Sequence, residues 1–151
     1  MVGVSETGLA IIEFDQGDFP KGRLARTVDW VESEERTAPA VQELEEYFEG
    51  KRRAFTVPLD LRGTEFQKKC WNALLKIPYG ETRSYAQIAR SVDCPQGFRA
   101  VGMANHDNPV PIIVPCHRVL ASDGSLGGYG GGLEVKRQLL ELEGALQPTL
   151  V

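Results

Sequence analysis

Three prolines fall within the eight residues from Asn108 to Pro115, which rules out a helix through the middle of the C-terminal half. Each proline lacks an amide donor and disfavours helical geometry in the residue before it. Val110, Ile112, Ile113 and Val114 fill the rest of the run, so it is expected to be an extended apolar segment. It leads directly into Cys116-His117-Arg118-Val119. Helices must therefore be built on either side of this segment.

The flanking sequence supplies them. Thr64 and Gln67 are spaced as a capping box, ahead of Phe66, Cys70, Trp71, Leu74 and Leu75 on one face. Cys70 sits on that apolar side and reads as a core thiol. Pro78-Tyr79-Gly80 ends the helix. A second capping box, Ser84 with Gln87, opens a short helix carrying Tyr85, Ile88, Ala89 and Val92. A turn over Asp93–Gly97 separates it from a third helix, about Phe98 to His106. Two short helices about such a turn have the shape of a helix-turn-helix, although ordinary helical hairpins look the same. A glycine-rich loop, Gly124 to Gly132, precedes a last helix from about Leu133 to Glu143, with Gly144 to stop it.

The N-terminal part reads differently. Leu9–Phe14 is a candidate strand after the Thr7-Gly8 turn, and Pro20, Lys21 and Gly22 mark a loop. Thr37 to Glu49 is expected to be a helix capped by Thr37 and ended by Gly50. Val41, Leu44, Tyr47 and Phe48 share one face, and its many glutamates read as a solvated one. Lys51 to Arg53 reads as solvated linker, and Phe55 to Leu61 as extended. The expected fold class is α+β. Residues 1–62 are expected to form a small N-terminal α/β domain (short sheet plus helix) and linker; residues 63–151 are expected to form a mainly helical C-terminal domain with the helix-turn-helix, the part that would hold any DNA-binding surface and active site.

Composition narrows the functional classes. No run of about 18 apolar residues is present, so no transmembrane helix is expected, and the start lacks a signal peptide. Three cysteines without paired spacing fit free thiols in a reducing cytoplasm. The net charge is −4 and unevenly spread. Residues 1–62 hold eight Lys/Arg and thirteen Asp/Glu, a balance of −5; residues 63–151 hold nine and eight, a balance of +1. The net charge alone argues weakly against nucleic acid, and any nucleic-acid contact belongs to the C-terminal part and should be local.

Cys116 is the leading chemical candidate. A thiol becomes nucleophilic when nearby cations or a histidine base stabilise its thiolate, and His117 and Arg118 follow it directly. A buried, inert cysteine beside Val114 and Val119 is the alternative on spacing alone. Cys70, Cys94, Cys116, His106 and His117 lack the spacing of zinc sites, so no metal is expected. The glycine-rich loop lacks the Lys-Ser/Thr ending of a phosphate-binding loop.

The runs Ile77-Pro-Tyr-Gly-Glu, Ser84-Tyr85, Arg99-Ala-Val-Gly102, Asn108-Pro109, Ile113 to Val119, Gly127-Gly128-Tyr129 and Leu139 to Glu143 together resemble the O6-alkylguanine-DNA alkyltransferases. The likeness covers nearly all of residues 63–145, and its most specific part is Pro-Cys-His-Arg-Val. It implies irreversible, stoichiometric transfer of the alkyl group from O6-alkylguanine, and O4-alkylthymine, in double-stranded DNA to Cys116. His117 would act as base through a bridging water, Glu143 would hold the far side of the imidazole, and Asn108 would brace the network. Tyr85 would hydrogen-bond the guanine ring and protonate it as it leaves.

DNA would be entered from the minor groove. Arg99 would fill the space left by the flipped base, on a helix whose Ala100, Gly102, Ala104 and Asn105 allow close approach. Those small residues could equally pack against a neighbouring helix. Gly128, Tyr129, Gly130, Val114 and Pro115 would line the base pocket. Relatives often carry Ser where Gly130 stands, so this chain would lack that hydroxyl contact with the guanine oxygen. The resemblance implies a monomer without cofactor. It also implies that the N-terminal sheet lacks a strand carrying a Ser-Pro-Leu/Ile-Gly type motif. A DNA-damage sensor that binds without transfer, and more distantly a thiol hydrolase, are the competing readings.

Overall fold

The computed structural model describes residues 1–14 and 30–147. The loop expected at Pro20–Gly22 lies outside them. The chain divides into two compact units, Met1–Arg62 and Gly63–Val151.

In the first unit, β1 (Val2–Val4) pairs antiparallel with β2 (Leu9–Ile12), Gly3 opposite Ile11. All four residues of β2 are buried. On its other edge, Leu9 exchanges backbone hydrogen bonds with the 58–60 segment, from Leu9 N to Pro58 O and from Asp60 N to Leu9 O, both 2.8 Å. Phe55–Leu61 thus contributes a bridge at Leu59 rather than a full strand.

Helix α1 runs from Glu34 to Phe48 and starts earlier than its sequence suggests. Ser33, not Thr37, is the cap: its hydroxyl accepts from Arg36 N, while the Thr37 hydroxyl donates back to the Ser33 carbonyl. Both residue types can cap, and the one nearer the first acidic turn does so. The helix buries Ala40, Glu43, Leu44 and Tyr47, whereas Val41 and Phe48 are exposed. Glu43 also departs from expectation. It is 5% exposed, and its carboxylate accepts from Thr56 N, the Thr56 hydroxyl and Val57 N. Arg52 pairs with it at 3.0 Å. These donors, with Arg52, outweigh burial and hold its carboxyl below the usual range. A glutamate on the apolar stripe therefore clamps the 56–57 backbone to the helix.

In the second unit, α2 (Glu65–Leu75), α3 (Tyr85–Ser91) and α4 (Phe98–His106) pack on one another. Both expected capping boxes form, Thr64 with Gln67 and Ser84 with Gln87. Trp71 is buried and its indole Nε1 donates to Ala104 O at 2.8 Å, fastening α2 to α4. Helices α3 and α4 are joined by the 92–97 turn. A Cβ on Gly97 would sit 2.5 Å from Cys94 Sγ and 3.1 Å from Cys94 O, so a side chain there would require Cys94 to shift. Cys70 is fully buried in this core, as its position on α2 implies.

The 108–115 segment is not extended. Pro111 and Val114 form an isolated bridge, Val114 N donates to Val110 O, and Ile112 has φ +76°. A left-handed conformation is strained for a β-branched residue. The Asn108 side chain holds the turn, accepting from Val110 N at 2.9 Å and donating to Val114 O at 2.8 Å. The chain then enters a 3-10 turn, Cys116–Arg118, and β4 (Val119–Leu120). Strand β4 pairs in parallel with β3 (Arg83–Ser84), and helix α5 (Leu133–Leu142) packs against the 3-10 turn.

Candidate active site

Three local structures bring the site together. The β3–β4 pairing sets Arg83 opposite Val119 and Ser84 opposite Leu120. It thereby places Tyr85, the first residue of α3, beside the turn that carries Cys116. The Asn108 amide that folds the proline-rich turn also donates to Cys116 Sγ at 3.2 Å. The end of α5 forms a full Schellman motif, Ala145 N to Leu140 O and Gly144 N to Glu141 O, with Gly144 at φ +74°. That ending fixes Glu143 as the helix's last, C-capping residue.

Glu143 is fully buried at its side chain and collects the charges of the site. His117 Nε2 lies 2.8 Å from its Oε2. Arg118 donates to it twice, from Nε at 2.8 Å and Nη2 at 2.9 Å, and from Nη1 to Ile77 O at 2.7 Å. The carboxylate fixes the imidazole tautomer: Nε2 carries the hydrogen and Nδ1 keeps its lone pair. Nδ1 is buried and has no hydrogen-bond partner among the described residues. It is a basic atom on the thiol's own turn left open to take a proton.

Burial sets the ionisation of these groups. It pushes the Cys116 thiol up to about 11, against opposing help from the Asn108 amide, Lys136 and backbone amides. Forming the thiolate at neutral pH then costs about 5 kcal/mol, so the resting sulfur carries its proton. Burial depresses His117, Glu143 opposes this, and Arg118 and Lys136 add to the depression. The imidazole is therefore neutral and available as a base. Tyr85 and Tyr129 are both raised, first by burial and then by the Cys116 charge.

A cavity of about 450 Å³ opens against Cys116, within the range of small-ligand pockets. Tyr85 lines it, with Gly102, Met103, Asn105 and His106 from α4 and Gly128, Tyr129 and Gly130 from the glycine-rich loop. Gly127 has φ +69°, and a Cβ there would stand 3.2 Å from the Tyr85 ring, so glycine lets the loop lie against the tyrosine.

Several expected site residues fall elsewhere. Val114 and Pro115 do not line the cavity; both are buried in the core adjoining Cys116 in sequence. Ala104 is 2% exposed and its carbonyl receives Trp71, so its smallness serves helix packing rather than DNA approach. Asn105 is 8% exposed and belongs to the cavity, as does Gly102. Arg99 and Ala100 are exposed on the first turns of α4.

Lys136 was not singled out by its sequence. It is fully buried, and its Nζ donates to Val119 O at 2.7 Å, Gly128 O at 3.2 Å and Leu126 O. The ammonium thus ties the cavity loop to β4, and it stands 6.0 Å from the Tyr85 ring centre. Burial pulls its pKa down to about 8, opposed by the Cys116 charge. The available signal was its place on the buried stripe of α5, with Leu139, Leu140 and Glu143.

A buried thiol with an imidazole and carboxylate behind it, opening on a cavity walled by a helix-turn-helix, defines a nucleophilic-cysteine protein of nucleic-acid-binding architecture. Residues 65–145 match the family model for the 6-O-methylguanine DNA methyltransferase DNA binding domain, and residues 2–61 match its ribonuclease-like domain. A methylated-DNA–protein-cysteine methyltransferase of Methanosarcina acetivorans is 49% identical over 140 residues, which is 93% of this chain and 88% of the relative. The crystal structure of Mycobacterium tuberculosis OGT in complex with DNA superposes with a TM-score of 0.86 at 46% identity, covering 95% of this chain and 85% of that one. A second structure, of the Mycobacterium tuberculosis O6-methylguanine methyltransferase, gives 0.80 at 43% identity, covering 97% of this chain and 93% of that one. The chain belongs to the 6-O-methylguanine DNA methyltransferase family.

Proposed function

We propose that Cys116 is the atom-accepting residue of a direct DNA repair reaction, in which the alkyl group of O6-alkylguanine passes to its sulfur. The family's reaction is alkyl transfer to a protein cysteine, and this chain carries it as a single-turnover alkyltransferase. The observation that supports Cys116 is its place at the wall of the cavity, with the open Nδ1 of His117 backed by Glu143.

The thiol proton passes to His117 Nδ1 through a bridging water, and Glu143 stabilises the imidazolium that results. The S–C bond forms as the C–O6 bond breaks, and its electron pair remains on the base. Tyr85, kept protonated by burial, supplies a proton to the departing guanine. Asn108 steadies the sulfur, and Lys136 holds the loop carrying Gly128, Tyr129 and Gly130. The product is a thioether with no hydrolytic exit, so each chain acts once. O4-alkylthymine is a second substrate.

DNA is a partner of this family's solved structures. Cys116 is 6% exposed at the cavity, so the alkylated base must leave the stack to reach it. Entry is from the minor groove, with Ala100 and Gly102 of α4 close to the DNA and exposed Arg99 in the vacated space. The protein works as a cytoplasmic monomer, without metal or cofactor. Its three free thiols fit a reducing compartment, and no described helix is long and apolar enough to cross a membrane.

Intact-protein mass spectrometry after incubation with excess O6-methylguanine duplex tests the reading. One methyl per chain, on Cys116, is expected, with none on Cys116→Ala although that variant still binds the DNA. Sustained turnover, or a methyl elsewhere, overturns it. DNA binding without any transfer would instead make the protein a damage sensor.

A further inference from the structure

Asn105 is a buried polar residue of the cavity that the proposed reaction leaves without work. It lies on α4 and is 8% exposed, and neither its amide nitrogen nor its amide oxygen has a hydrogen-bond partner among the described residues. Buried polar groups are nearly always paired, because water's hydrogen bonds are lost on burial. An amide orphaned at both ends, on the wall of the cavity that Cys116 also faces, is a group kept for a ligand. Both amide atoms are buried, so reading a ligand in the cavity requires the side chain to turn toward it.

We infer that Asn105 is a specificity residue, reading the paired acceptor and donor that O6-alkylguanine presents at N1 and its 2-amino group. This rests on the alkyltransferase reading above. An amide offers a donor and an acceptor side by side. In O6-alkylguanine N1 has no hydrogen and accepts, while the neighbouring amino group donates, so both ends of Asn105 are satisfied together. In undamaged guanine N1 carries a hydrogen, and the Asn105 donor is left facing another donor. In O4-alkylthymine N3 and O2 both accept, and the Asn105 oxygen is left unpaired. One side chain thus separates alkylated from plain guanine and alkylguanine from alkylthymine. A site built to pair a polar edge rejects partners lacking it because its own buried groups stay unmatched.

The test compares single-turnover transfer by the whole chain and by Asn105→Leu. The substrates are duplexes carrying O6-methylguanine, the same base without its 2-amino group (O6-methylhypoxanthine), and O4-methylthymine. With O6-methylguanine the variant is expected to be slower by about thirtyfold, the worth of two lost hydrogen bonds at about 1 kcal/mol each. The loss should shrink markedly with O6-methylhypoxanthine and vanish with O4-methylthymine. The free variant should melt no lower than the wild type, since leucine removes two unpaired groups. An equal loss on all three DNAs, no loss on O6-methylguanine, or a lower melting temperature overturns the assignment. A wild-type chain that transfers nothing from any of the three overturns the alkyltransferase reading, and this one with it.

Discussion

The thiol of Cys116 and the imidazole of His117 are buried together, and burial moves their ionisation in opposite directions. The sulfur keeps its proton to about 11, while the imidazole stays neutral to below the usual histidine range. Between those limits the reactants are constant: a thiol and a free base. The single-turnover rate is therefore expected to be flat from about pH 6.5 to the approach of the Lys136 titration at about 8, falling on the acid side as His117 is protonated. His117→Gln removes the base but leaves Arg118 paired with Glu143, so the fold keeps its buried charge balance. The variant's rate should be far lower at neutral pH and should climb about tenfold per pH unit toward the pKa of the thiol. Rapid-quench kinetics across pH checks both profiles; a plateau retained in His117→Gln would remove the imidazole from the mechanism. Glu143→Gln is a poorer probe, since an uncompensated buried guanidinium destabilises by about 3–5 kcal/mol.

The ends of elements carry as much of the site as their faces. Glu143 occupies its place because α5 stops at Gly144, whose φ of +74° is open to glycine. A Cβ there meets nothing within 4 Å, so Gly144→Ala tests backbone conformation alone. It should destabilise the protein by about 1–2 kcal/mol, read as a lower urea midpoint, and slow transfer because the carboxylate loses its fixed position. Unchanged stability and rate would show that the Schellman ending does not position Glu143. This ending was legible in the sequence, as were both capping boxes and the two helices about the 92–97 turn, because each is local chemistry. The 108–115 turn was not. Three prolines exclude a helix, but the choice between extended chain and a left-handed Ile112 is made by Asn108, whose amide bonds Val110, Val114 and Cys116 at once. Glu43 and Lys136 escaped for a related reason. A charge on an apolar stripe is read as solvated until its partners are known, and those partners, Thr56 and Val57 or Val119, Leu126 and Gly128, come from other segments. Cys116, His117, Asn108 and Glu143 could be named from motifs; Arg118's double bond to Glu143 and the open amide of Asn105 needed the fold.

For the whole molecule, the reaction ends with a larger group on a residue that stability depends on. Before reaction the Cys116 sulfur accepts a hydrogen bond from Asn108, and that same amide closes the strained turn at Ile112. A thioether accepts more weakly, and its added carbon must share the space beside Tyr85 and Tyr129. Overpacking costs about 1–3 kcal/mol, and each kcal/mol lowers the melting temperature of a chain this size by about 2–4 °C. The methylated protein should therefore melt several degrees below the unreacted one, and a benzylated protein lower still if the bulk outruns the cavity. Scanning calorimetry of the protein before and after stoichiometric reaction decides it. An unchanged or raised melting temperature would mean that the cavity takes up the alkyl group without disturbing Asn108. In that case the spent chain would persist as a folded protein still able to occupy DNA.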